Sequence, residues 1–130
     1  GIEPDPTLAY LSRDPHELDM AALVRRVLDG DMTAIFAAND RRALEIIEVF
    51  GNHGIRIPDE VSLVGYDDFE PAKYSLVPLT TVRQNFEQLG YEAAKLLFKS
   101  MKYRDNACKI ILLPNRLVVR QSTAPPAKKP

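Results

Sequence analysis

"AIFAAND" at residues 34–40 and "VSLVGYDD" at 61–68 share one pattern: a short apolar run that stops on two polar residues. Each run is too short for a helix and is bounded by turn signals, so Thr33–Ala38 and Val61–Gly65 read as buried strands. Between them Ala43, Leu44, Ile47 and Phe50 mark the apolar face of a helix. Asn39 or Asp40 can cap its start, and Gly51 to Gly54 end it. Upstream, Asp14-Pro15-His16-Glu17 combines an Asp cap, Pro in the first turn and an acid. With Leu18, Ala21, Ala22 and Leu28 at helical spacing, this predicts a helix over 15–29, closed by Gly30.

Downstream, residues 67–75 read as one short helical turn and Leu79–Val82 as a third, shorter strand. Phe86, Leu89, Gly90, Ala93, Leu96 or Leu97, and Met101 predict a longer helix over 85–103. Lys109–Leu113 and Arg116–Arg120 read as extended segments split by Pro114-Asn115. Strands alternating with helices predict an α/β fold: βαβ units with a parallel sheet covered on both faces.

In such sheets ligands bind beyond the carboxyl ends of the strands. Asn39 follows the first strand and Asp67 the second, so neighbouring strands would bring an amide and a carboxylate to one rim. That pair suits a polyhydroxylated or amine-bearing small molecule, because the carboxylate accepts hydrogen bonds and the amide both donates and accepts. Both residues also have a plain alternative as helix caps, and Asp40 reads as a cap rather than a ligand contact. Asp67 and Asp68, adjacent in an extended chain, would point to opposite sides and are poorly placed to share a proton.

Composition narrows the classes. The 130 residues are one domain's worth, with 45% hydrophobic and 27% charged residues. A net charge of −1 leaves no basic footprint for nucleic acid within these residues. No apolar run approaches the roughly 20 residues of a membrane helix. The single Cys108 excludes an intrachain disulfide and fits a reducing cytosol. His16 and His53 are far apart, so no metal-ligand spacing exists and no cofactor is implied. No Ser has nucleophile-elbow context, the glycines form no phosphate loop, and no nucleophile–base arrangement supports an enzyme. The start at Gly1, with no Met and a loop-like "GIEPDPTL", reads as an excised piece, and "STAPPAKKP" as a disordered tail.

Four stretches, "TAIFAAND", "GIRIPDEVSLVGYDDFE", "PLTTVRQNFEQLGYEAAKLL" and "LLPNRLVVRQST", occur in the order and spacing of LacI/GalR-family bacterial transcription regulators. The chain resembles the C-terminal part of their effector-binding domain, from about residue 1 to 124. The resemblance implies a type I periplasmic-binding-protein-like fold: mainly the C-terminal lobe, with an incomplete N-terminal lobe. Residues 1–82 correspond to the C-terminal lobe, 83–108 to a helix of the N-terminal lobe, 109–122 to hinge-crossing strands and 123–130 to the tail. It implies a cytoplasmic homodimer that senses a sugar or purine-like effector, and contact with operator DNA only through a helix-turn-helix outside this chain. Carried over residue by residue, Asn39, Asp67 and Gln84 match effector-contacting or cleft positions, and Gln84 could equally satisfy hinge backbone groups. Leu44, Ile47, Tyr74 and Leu76 match the dimer face, with core packing as the alternative for the first two. A periplasmic sugar-binding protein of a transporter would share the rim chemistry and remains the rival, although the "LLPNRLVVRQST" ending favours the regulator. Without its parent lobe, the helix over 85–103 has nothing to cover Phe86, Leu89, Leu96 and Leu97, and it is expected to stay mobile, pack non-natively or find a second chain.

Overall fold

The computed structural model describes residues 19–103 and 109–126. Its elements are α1 (Met20–Leu28), β1 (Ala34–Phe36), α2 (Asp40–Asn52), β2 (Ser62–Asp67), β3 (Thr80–Arg83), α3 (Phe86–Tyr103) and β4 (Arg116–Val118), with a 3-10 turn at Glu70–Lys73. The sheet order is β1-β2-β3-β4. The first three strands are parallel, as the alternation predicts. β4 runs antiparallel to β3, with Arg83 opposite Arg116. The sheet is therefore mixed rather than wholly parallel: the chain leaves β3 and returns to β4 at the same end of the sheet.

Local chemistry sets the helix ends. Asp19 caps α1, its carboxylate accepting from Ala22 N–H at 2.9 Å. Asp19 itself is non-helical, with ψ 84°, so the helix predicted over 15–29 is not continuous there. The proposed Asp14 cap, His16 and Cys108 lie outside the described residues. Gly30 ends α1 as predicted: at φ +74° its N–H meets Val27 O at 3.0 Å, and Asp31 N–H reaches Arg26 O at 3.0 Å.

The core lies between α2 and one face of the sheet. Ala43, Ile46, Ile47 and Phe50 of α2 meet Val61, Leu63 and Leu79, and Leu23, Val24 and Val27 of α1 close the cluster. Ile46 joins the face read from the sequence, whereas Leu44 is only half-buried. Each fully buried side chain of this kind stabilises the fold by roughly 1.5–3 kcal/mol.

The sheet's other face carries Phe36 and Tyr66, whose rings meet edge to face at 6.5 Å. Phe36 is exposed there and Val64 and Tyr66 are half-buried, so cover on both faces is not what the described residues show. β1 is an edge strand, and the expectation that it is buried is corrected accordingly. α3 is capped by Asn85, whose side chain accepts from Gln88 N–H at 3.0 Å, yet none of its 18 residues is buried.

Residues 122–124 are tied to the starts of β2 and β3. Ser122 is fully buried. It wedges between the starts of β2 and β3: its Oγ accepts from Thr80 N–H at 2.8 Å and donates to Leu63 O at 2.6 Å. Thr123 Oγ1 meets Thr80 Oγ1 at 3.1 Å, and Ala124 N–H donates to Ser62 Oγ at 3.1 Å. The disordered tail expected from residue 123 therefore does not include Thr123 or Ala124, because these bonds replace solvent.

Candidate functional site

The parallel register brings the predicted rim residues to one end of the sheet. Phe36 pairs with Val64, and Asn39 lies three residues past the first as Asp67 lies three past the second. β2 and β3 also pair in parallel, Asp67 standing opposite Arg83. Gln84 follows directly, and its Nε2 donates to Asp67 Oδ1 at 2.7 Å. Two of the three sequence-derived contacts are thus joined to each other. Asn39 does what a cap does: its Oδ1 accepts from Arg42 N–H at 2.9 Å at the start of α2.

Asp40 was expected to cap and does not. Its side chain is fully buried; Oδ1 accepts from Thr81 Oγ1 at 2.5 Å and Oδ2 from Phe69 N–H at 2.7 Å. Burial pushes its pKa up, against the lowering by the Thr81 and Phe69 hydrogen bonds, and the charges of Asp67 and Asp68 push it the same way as burial. The carboxylate lies against Gly65, where an added Cβ would come 2.2 Å from Oδ1 and 2.8 Å from Leu79 Cδ2. Only glycine leaves this room.

The stretch after β2 is not extended, contrary to the expectation for Asp67-Asp68. Both residues are left-handed, with φ 114° and 57°. For non-glycine residues each such position costs about 1–3 kcal/mol and needs neighbours that over-determine it. Those neighbours are present. Asp40 holds Phe69 N–H, and Thr81 Oγ1 accepts from Asp68 N–H at 3.4 Å. The Asp68 carboxylate, 3% exposed, accepts from Arg83 Nε at 2.5 Å and from Arg120 Nη2. Arg120 is itself seated by Leu79 O, 2.7 Å from Nη1. Burial works to raise the Asp68 pKa, but the hydrogen bonds and charges of Arg120 and Arg83 outweigh it and hold the carboxyl below its ordinary range.

Sequence reasoning missed Asp68, Arg83, Arg120 and Thr81 as parts of this site. A signal was present: "VRQ" occurs twice, at 82–84 and 119–121, each time with an arginine at the end of a segment that reads as extended. An arginine there needs a carboxylate partner. The dimer-face candidates divide. Tyr74 is 80% and Leu76 85% exposed, and both stand free of the core. Ile47 is 5% exposed and is a core residue; with its surface already covered it is unavailable to a second chain.

Residues 2–123 match the family described as periplasmic binding protein-like domain. The chain belongs to the periplasmic-binding-protein-like family. Within that family it is similar to the effector-binding region of LacI-type regulators. It is 38% identical over 96 residues to the HTH-type transcriptional repressor PurR of Histophilus somni (strain 129Pt), covering 74% of this chain and 29% of that protein. It is 35% identical over 124 residues to the HTH-type transcriptional regulator CelR of Thermobifida fusca, covering 94% of this chain and 36% of the relative. Among solved structures, a CelR–cellobiose complex aligns with TM-score 0.78 and 34% identity, over 93% of this chain and 37% of that one. The lac repressor dimer bound to operator and the anti-inducer ONPF aligns with TM-score 0.68 and 31% identity, over 80% and 36%. The chain thus spans about a third of the length of these relatives. The periplasmic-binding-protein-like fold expected from the sequence is the fold found, with β4 as its antiparallel member. Among the described residues no helix is long and apolar enough to cross a membrane.

Proposed function

We propose that this chain is the effector-sensing part of a bacterial LacI-type transcription regulator, working in the cytoplasm as a homodimer and without enzymatic activity. Asn39, Asp67 and Gln84 contact a sugar or purine-like effector, and operator DNA is read by residues outside this chain. The observation that carries this reading is the Asp67–Gln84 pair at the carboxyl ends of adjacent parallel strands, with Asn39 three residues beyond β1 at the same end of the sheet. A carboxylate and two amides offer the acceptors and donors that hydroxyl groups or a purine edge require. The regulator relatives and the cellobiose-bound neighbour support the same reading over that of a transport receptor. Leu44, half-buried, and Tyr74 and Leu76, exposed, are the dimer contacts that the reading retains.

The test is Asp67→Ala in the full-length regulator. The variant keeps operator binding and no longer responds to effector. Normal induction by that variant would refute the assignment.

A further inference from the structure

Two adjacent pairs of residues are bonded to each other twice. Asp67 ends β2 and Asp68 follows it; Arg83 ends β3 and Gln84 follows it. Gln84 donates to Asp67, and Arg83 donates to Asp68. With the two intervening peptide bonds this closes a ring across the strand ends. One side of the ring, Asp67 with Gln84, is the candidate effector rim. The other side, Asp68, is nearly out of solvent and reaches a second arginine, Arg120, from the segment after β4.

We propose that Asp68 is the positioning residue of the rim: through Arg83 and Arg120 it holds Asp67 and Gln84 in the hydrogen-bonded arrangement presented to an effector. Three observations carry this. Asp67 Oδ1 meets Gln84, while the two Asp68 oxygens meet Arg83 and Arg120. Both residues hold a left-handed backbone that such neighbouring bonds must maintain, so the Asp68 anchor also fixes the backbone that carries Asp67. The Arg83 side chain that Asp68 grips belongs to the residue immediately before Gln84, so loosening it frees Gln84 as well. Arg120 is fixed independently, by Leu79 O and by Thr80 Oγ1, which accepts from its backbone N–H at 2.9 Å; it is a rigid post rather than a mobile surface charge. Charge-assisted bonds of this kind are the stronger class and suit an anchoring role. Asp68 itself makes its bonds to protein groups on both oxygens and is not an effector contact.

The inference rests on the reading of Asp67 and Gln84 as effector contacts, and its test needs no effector. In 15N-labelled protein the side-chain amide of Gln84 is followed by NMR. In Asp68→Asn its exchange with water speeds up about tenfold, as for loss of one hydrogen bond, while the backbone amides of Ile46 and Leu63 are unchanged. An unchanged Gln84 amide would overturn the proposal. So would a uniform acceleration at all three positions, which is what a merely structural role gives. If Asp68→Asn does not fold, Arg120→Gln is read in the same way: faster exchange at Gln84 alone supports the proposal, and no change overturns it. Failure of the effector reading registers elsewhere, as effector response retained in Asp67→Ala.

Discussion

α2 and α3 obey opposite packing rules in one chain. Both are amphipathic, and α3 is the longer. α2 buries Ala43, Ile46, Ile47 and Phe50 against β2 and α1, whereas α3 buries nothing and leaves Phe86, Leu89, Leu97 and Phe98 exposed. An apolar stripe states that a helix needs a partner; it does not state that the partner lies in the same stretch of chain. The chain's match to only about a third of its relatives' length is consistent with that difference.

The largest expected effect is Phe50→Ala, which should cost roughly 3–5 kcal/mol in a urea titration by opening a cavity at the centre of the α2 core. Phe98→Ala on α3 should cost within about 0.5 kcal/mol. Comparable losses at both sites would break the contrast. Gly65→Ala comes next. The new Cβ meets the pinned Asp40 carboxylate, so a loss of roughly 2–4 kcal/mol is expected from overpacking and broken hydrogen bonds. Gly90→Ala on α3 has nothing within 4 Å and should instead raise helicity by circular dichroism. Thr81→Val removes the hydroxyl between Asp40 and Asp68 N–H and should cost about 1–3 kcal/mol, because it leaves a buried carboxylate oxygen short of a donor.

The smallest effect concerns pH. The lowered pKa of Asp68 means that its stabilisation is full above the ordinary aspartate value, about 3.9, and is lost as pH falls through its depressed folded value. Asp40 has the opposite sign. Its raised pKa makes stability fall as pH rises through the window between its unfolded and folded values. Urea midpoints across the acid range should therefore show an acid loss that Asp68→Asn shallows. An unaltered acid limb in that variant would remove Asp68 from the account.

The helices and the polar residues at the two strand ends were legible because each is a local pattern. Apolar runs stop at Asn39 and at Asp67, and Gly30 follows the last periodic residue of α1. The resemblance added Gln84. What was not legible depended on contacts between separate segments, such as Phe69 with Asp40 across 29 residues and Arg120 with Asp68 across 52. Asp40 has the composition of a cap and the burial of a core residue, and spacing cannot tell these apart.

The sequence by itself determined the helices and the three parallel strands among the described residues and which of their ends carry polar groups, since turn chemistry and hydrophobic period act over a few residues. The segment read as extended at Lys109–Leu113 forms no strand. Only the tertiary structure decided that β4 runs against β3, that Ser122 is a buried wedge, and that Asp68 faces two arginines while Asp67 meets Gln84. Each of those outcomes comes from satisfying buried donors, acceptors and charges between segments far apart in the chain, where no local pattern records the partner.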